Sequence, residues 1–246
     1  MKIGILGYGE IGSSIDKLFH PRDKVLVEDK NLNSRIGEQV EILHVCIPYS
    51  KDFIDIVAEC TDRIKPELTI IHSTVKVGTT KELFDNGINV VHSPVRGMHP
   101  NLTESLRVFT KFIGSDDLEL GLKALNHFKE LDITVVMLKS SSATELGKLL
   151  DTTYYGVCIS FHSYANELCE EVGVPVEDVM GLFNTTYNQG YTKMNVTNVV
   201  RPVLYPPKGK IGGHCVVPNA KLLQEQFGED PILQRITGDD IEDKNG

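Results

Sequence analysis

The chain has 246 residues, 41% hydrophobic and 24% charged, which are ordinary values for a folded globular protein. They exclude a disordered, collagen-like or low-complexity chain. The formal net charge of −9 excludes a general nucleic-acid binder, which carries a basic face.

The first part of the chain alternates strand-sized apolar runs with helical spacing. Strands are expected at 2–6, 24–27, 42–47, 68–72, 88–92, 110–113 and 133–138. Helices are expected at 11–19, 51–64, 79–85 and 118–130. This alternation predicts an α/β fold, a Rossmann-type, doubly wound, mainly parallel sheet. From 142 to 172 there is no proline, and apolar residues recur at helical intervals, so one long helix is expected, ended near Gly173 and Pro175. A shorter helix is expected at 176–183, a loop-rich stretch at 184–213 and a last helix at 219–227. The acidic tail from Gly238 reads as frayed. The expected domains are therefore a sheet domain at 1–140 and a smaller helical domain at 141–246 with one long central helix. That helix is a candidate seam for a homodimer, because a half-sized helical domain has little core of its own.

No apolar run approaches the roughly 18 residues of a membrane helix. Glycines interrupt the N-terminal run where a signal peptide needs continuity. A cytoplasmic protein with no membrane partner is expected. Cys46, Cys60, Cys158, Cys169 and Cys215 are odd in number, widely spaced and without a Cys-x-x-Cys pair. Neither a disulfide framework nor a metal site is expected.

Gly7-Tyr8-Gly9-Glu10-Ile11-Gly12 fits G-x-G-x-x-G, directly after the first strand and at the start of a helix. Gly7 permits the tight turn, Gly9 admits a pyrophosphate, and Gly12 lets helix and strand pack closely. About twenty residues on, the second strand ends in Glu28-Asp29. Asp29 suits the ribose hydroxyls of NAD, and its charge repels the 2′-phosphate of NADP. Pro48, which ends the third strand, is placed against the same cofactor.

A second constellation is Lys208-Gly209-Lys210-Ile211-Gly212-Gly213-His214-Cys215. Cys215 stands on a flexible turn beside a histidine and two lysines, a setting that favours a nucleophilic thiol. The other four cysteines lie in apolar contexts and read as small buried hydrophobes.

The glycine loop, the Gly-Gly-His-Cys turn and Thr144-Glu145-Leu146-Gly147-Lys148-Leu149 stand in the order found in the UDP-glucose/GDP-mannose dehydrogenase family. Ser73-Thr74-Val75, Gly78-Thr79-Thr80, His92-Ser93-Pro94 and Ala165-Asn166-Glu167-Leu168 resemble that family too. The resemblance runs from residue 1 to about 225. It implies an NAD-dependent enzyme that oxidises a sugar C6 alcohol twice, through a cysteine thiohemiacetal and then a thioester. It places Cys215 as the nucleophile. It makes Lys148 the group that assists proton transfer and stabilises the oxyanion, and Thr74 a holder of the active-site water. Thr74 also lies where the family lines its cofactor.

The sequence departs from the family pattern in four respects. Val95 stands in place of the Glu after Ser-Pro, Thr152 in place of an Asn, and Asn219 in place of an Asp. Lys208 and Lys210 replace glycines before the cysteine. The chain ends about 30 residues after Cys215, which implies a shortened form without the family's C-terminal nucleotide-binding domain. Arg96, His99, Thr152, Lys208, Lys210, His214 and Asn219 are candidate substrate contacts. The basic ones suit a small anionic substrate. Two further readings stand beside four-electron oxidation. One is a two-electron hydroxyacid-type dehydrogenase using Lys148 alone. The other is a non-catalytic NAD- or metabolite-binding relative.

Overall fold

Seven short strands pair into one sheet: β1 (Lys2–Leu6), β2 (Lys24–Glu28), β3 (Ile42–Val45), β4 (Leu68–Ile71), β5 (Val90–His92), β6 (Lys111–Gly114) and β7 (Val135–Leu138). Their order is β2-β1-β3-β4-β5-β6-β7. All neighbours are parallel except β5 and β6, which run antiparallel. The computed structural model describes residues 1–98, 100–207, 209, 211 and 215–238.

Strand residues alternate between two apolar layers, as the twofold strand repeat requires. Ile3, Ile5, Ile42, Leu68, Ile70 and Ile113 face one layer. There they meet Ile15 of α1 (Glu10–Asp16), Leu102 and Leu106 of α4 (Leu102–Val108), and Ala124 and Phe128 of α5 (Leu118–Glu130). Leu43, Val45, Ile71 and Val90 face the other layer. They pack against Phe53, Val57 and Ile64 of α2 (Phe53–Ile64) and Leu83 of α3 (Thr79–Asp85). Helices thus cover both faces, which a parallel sheet needs to bury its apolar strands. The architecture is the doubly wound Rossmann-type α/β fold expected from the alternation.

The long helix α6 (Ser141–Val172) has 32 residues. The chain divides within it into two units, Met1–Lys148 and Leu149–Gly246. In the second unit a π-helical turn (Glu177–Gly181) leads into α7 (Leu182–Lys193), followed by α8 (Val216–Phe227) and α9 (Pro231–Thr237). A Cβ on Gly156 of α6 would lie 2.6 Å from Val216 Cγ1, so the missing side chain lets the start of α8 pack on α6. Val216, Ala220 and Ile236 form the small core there.

The stretch 184–213, expected as loop, is helical as far as Lys193. Its Asn, Thr and Gly residues are weak helix formers, but later chain holds the helix in place. Asn188 donates from Nδ2 to the Arg201 carbonyl (2.8 Å) and accepts the Arg201 amide at Oδ1 (2.9 Å). The Arg201 guanidinium lies 4.2 Å from the Tyr187 ring centroid. The short α4 and α9 were also not expected. For α9 a local signal exists, since Asp230 caps the Ile232 amide and Pro231 opens the helix. Among the described residues no helix is long and apolar enough to cross a membrane.

Candidate active site

The glycine loop joins β1 to α1. Gly7 has φ +90°, and a Cβ there would sit 2.8 Å from Ile47 Cγ2. A Cβ on Gly12 would lie 2.0 Å from the Gly7 carbonyl oxygen. Only two glycines allow this close crossing of turn and helix. A Cβ on Gly9 would meet nothing within 4 Å, so the middle of the loop faces open space. Gly9 is also the N-cap of α1, and no side chain caps that end. Ile11 packs inward against the apolar layer, while Glu10 is exposed.

Asp29 is anchored at this loop. Its Oδ2 accepts the Tyr8 amide at 2.7 Å and its Oδ1 the Asn31 amide at 2.7 Å. The Tyr8 amide, chiefly, holds the Asp29 carboxyl below the usual carboxylate range. Neighbouring Glu28 is engaged elsewhere, 2.7 Å from Arg63 Nη2 and accepting the Ile36 amide at 3.0 Å. Of the two acids, Asp29 is thus the one that stands at the loop. The Tyr8 hydroxyl donates to Asp16. The residues fit a dinucleotide: a tight glycine turn, open space at its centre, and an ionised carboxylate with lone pairs to spare.

The loops after β3, β4 and β5 are stitched together. Ser73 Oγ donates to the Ile47 carbonyl at 2.6 Å. His92 Nε2 lies 3.1 Å from the Ser73 carbonyl, and its Nδ1 2.8 Å from Thr144 Oγ1. Burial pulls His92 down to about 3, so the ring is neutral at neutral pH. Thr74 is half-buried in this stitched segment, and Pro48 is exposed at its edge.

Glu145, fully buried at the start of α6, extends the stitching. Its carboxylate accepts the Gly78 amide at 2.7 Å and the Thr80 amide at 2.8 Å, both at the start of α3. Lys148 lies one turn further along α6 and is half-buried. The first turns of α6, and with them Lys148, are therefore held against the loop that carries Thr74. Glu145 and His92 lie within the motifs that resemble the family, but their roles are not legible in the sequence, because their partners lie far off in the chain. In a Glu145→Gln variant one amide donor would face an NH2 group. The expected loss is about 2 kcal/mol, a fall in Tm of roughly 4–8 °C. Thermal unfolding followed by circular dichroism checks it, and an unchanged Tm would show that the clamp does not hold α6.

Cys215 lies in the second unit as the N-cap of α8 and is half-buried. Its carbonyl accepts the Asn219 amide at 3.1 Å. Asn219 is buried, and among the described residues its Nδ2 has no hydrogen-bond partner. Thr152 is half-buried on α6. Cys46, Cys60 and Cys169 are buried. Burial pushes the Cys60 thiol up to about 11. Val95, where the resemblance led to a Glu, is buried in the apolar layer with Val91 and Leu106. Arg96 stacks over the Phe112 ring, 5.3 Å from its centroid. His99, Lys208, Lys210 and His214 lie outside the described residues. Among the described residues no group of three or more His, Cys, Asp or Glu could hold a metal ion.

No family model matches the chain. It is 23% identical over 211 residues to the UDP-N-acetyl-D-mannosamine dehydrogenase of Methanococcus vannielii, covering 78% of this chain and 46% of that protein. It is 27% identical over 224 residues to the enzyme of the same name from Pyrococcus horikoshii, covering 81% and 50%. The chain is a sequence relative of nucleotide-sugar dehydrogenases. It spans about half the length of these curated relatives. The structure of the Pyrococcus horikoshii UDP-D-ManNAc dehydrogenase has a TM-score of 0.75 at 20% identity, over 97% of this chain and 68% of that one. A 3-hydroxyisobutyrate dehydrogenase from Mycobacterium tuberculosis gives 0.71 at 15% identity, over 96% and 91%. Those two structures show that this nucleotide-sugar dehydrogenase relative shares their fold.

Proposed function

We propose that this chain is an NAD-dependent oxidoreductase acting on a primary alcohol of a nucleotide sugar or a related anionic substrate. The glycine loop carries the reading: Gly7 and Gly12 close on each other, Gly9 leaves open space, and Asp29 stands ionised beside them. Gly7, Tyr8, Gly9, Glu10, Ile11 and Gly12 would hold the pyrophosphate, and Asp29 the adenine ribose. Pro48 and Thr74 would flank the nicotinamide. NAD, when bound, supplies the hydride acceptor. The nucleotide-sugar class comes from the names of the relatives.

Lys148 is the group that takes up the alcohol proton and then faces the developing oxyanion. Cys215 is the nucleophile: its sulfur adds to the aldehyde carbon, forming the C–S bond of a thiohemiacetal while the carbonyl oxygen is protonated. A second hydride would leave this carbon for a second NAD, turning the thiohemiacetal into a thioester, which water must later cleave to the carboxylate and the free thiol. The two family carboxylates expected to assist that step are Val95 and Asn219 here, both uncharged. Losing one such group costs about 10²–10⁴-fold, so thioester hydrolysis is the step expected to be slow. Arg96, His99, Thr152, Lys208, Lys210, His214 and Asn219 would contact the substrate. The uncharged Val95 and Asn219 also favour a second reading, in which Lys148 alone supports one two-electron oxidation.

A cytoplasmic homodimer is part of the proposal, with α6 as its seam. Tyr154, Tyr155, Phe161 and Leu168 are exposed along that helix, and a second copy would cover them.

The deciding experiment counts NADH per substrate consumed, with UDP-sugars, GDP-sugars and small hydroxy acids, in wild type and Cys215→Ser. Two NADH per sugar, falling at least ~100-fold in Cys215→Ser, is the expected result for the cysteine route. One NADH per substrate, unchanged in the variant, would establish the lysine-only route. Bound NAD with no turnover on any of them would make the chain a binding protein.

A further inference from the structure

A row of buried titratable side chains lies under the loops leaving β3, β4 and β5, and the proposed chemistry does not use it. His44 in β3, His72 just after β4 and Lys111 in β6 are 0%, 1% and 3% exposed. The two imidazoles stack with centroids 5.1 Å apart, and His44 Nδ1 is 2.9 Å from His72 Nε2. His72 Nδ1 has two neighbours, the Ser93 carbonyl at 2.9 Å and Lys111 Nζ at 3.2 Å. Lys111 Nζ also donates to the Ser93 carbonyl at 2.8 Å and lies 3.4 Å from the Pro94 carbonyl. Its other contact is the Phe128 ring, 5.0 Å to the centroid. Among the described residues its polar contacts are thus carbonyl oxygens and an imidazole, with no carboxylate.

Two proton arrangements satisfy this row. A charged Lys111 donates to His72 Nδ1, so His72 carries its proton on Nε2 and donates to His44 Nδ1, and His44 carries its proton on Nε2. A neutral Lys111 leaves His72 Nδ1–H to donate to the Ser93 carbonyl. His72 Nε2 then accepts from His44 Nδ1–H. Each ring keeps one proton in both arrangements, and one proton leaves Lys111 for solvent. In both, His44 Nε2 has no partner among the described residues, as observed.

We propose that Lys111 is a proton-linked clamp on the loop leaving β5, and that its charge selects the tautomers of His72 and His44. The clamped carbonyls, Ser93 and Pro94, directly precede Val95 and Arg96, so the clamp sets how firmly that loop is held. The groups facing Lys111 are His44 from β3, Cys46 directly after it, His72 after β4, His92 from β5 and Lys148 from α6, while His127 from α5 faces His44 and, further off, Asp23. Burial holds the four histidines neutral at neutral pH. Burial also keeps the Cys46 thiol protonated. Lys111 itself is drawn by burial to about 7, which leaves it as the group of this row that titrates near neutrality. The clamp does not depend on the cofactor or substrate reading.

The test is long-range ¹⁵N–¹H spectroscopy of the histidine rings of the full chain from pH 5.5 to 9, in wild type and Lys111→Met. In wild type, His72 and His44 are expected to pass together from Nε2–H to Nδ1–H with a midpoint near pH 7. In Lys111→Met, His72 is expected to stay Nδ1–H throughout. Unchanging wild-type tautomers, or the same transition in the variant, would overturn the proposal. Should the variant not fold, the wild-type Lys111 ¹³Cε titration decides: a midpoint matching that of His72 supports the clamp, and one at the ordinary lysine value of about 10.4 overturns it.

Discussion

Replacing Gly12 with alanine is expected to destabilise the first unit by about 3 kcal/mol and to weaken NAD binding at least ~100-fold. The added Cβ would stand 2.0 Å from the Gly7 carbonyl oxygen and 3.2 Å from Ile5 Cγ2. Neither neighbour is the free end of a flexible side chain, so the turn itself must move. Gly7 resists such movement, because it is wedged against Ile47 and its amide donates to the Glu28 carbonyl at 2.8 Å. Gly9→Ala is the informative partner. Its Cβ would enter open space, so stability is expected to hold while NAD affinity falls, the methyl group occupying the path of the pyrophosphate. Urea unfolding and calorimetric NAD titration separate the two effects. Wild-type NAD affinity in Gly9→Ala would remove the pyrophosphate from this loop, and with it the observation on which the functional reading rests.

Acid is expected to unfold the first unit well before carboxylate protonation would. A buried histidine with a depressed value is neutral in the folded chain but protonates near pH 6.5 when unfolded. Its contribution is therefore fully present above pH 6.5 and is lost as pH falls toward the folded value. His92 lies at about 3 and His127 at about 4. Between pH 6.5 and 4 each is expected to cost on the order of 3 kcal/mol, from about 1.4 kcal/mol per pKa unit. His44 and His72 are held well below the usual range by burial and add to the loss. Lys111 acts on the alkaline side with the same sign. Its folded value of about 7 lies below the unfolded one, so stability rises further from pH 7 to about 10.4. Urea midpoints at pH 7, 5.5 and 4 measure the acid limb. His127→Phe, placed beside Phe19 and Phe128, should flatten part of it. A midpoint independent of pH between 7 and 4 would contradict the buried, neutral state of these rings.

Much of the fold was readable because its signals are local. Each strand of the first unit is a short apolar run, and each principal helix keeps its spacing. Asp117 caps α5 at the Leu120 amide, a contact three residues long. The glycine loop needs only six consecutive residues and an acid at the next strand end. What escaped reading depends on partners distant in sequence. The second half of α7 is stabilised by Arg201, thirteen residues beyond Asn188, and by the Tyr187 and Tyr191 rings over which its guanidinium lies. Glu145 reads as an ordinary helix-surface acid until α3 brings two amides to its carboxylate, from 67 and 65 residues away.

By itself the sequence determined the order of the elements, the doubly wound sheet and the place of the dinucleotide loop. Strand pattern, glycine geometry and strand-end chemistry act over a few residues. Only the tertiary structure decided which polar groups lose water. His44 stands in β3, His72 directly after β4 and Lys111 in β6, and nothing in their immediate neighbours marks them. Parallel pairing of β3 with β4, and antiparallel pairing of β5 with β6, bring them into one dry layer beneath α5. Burial there, more than residue type, is what draws their proton affinities away from the values they have in water.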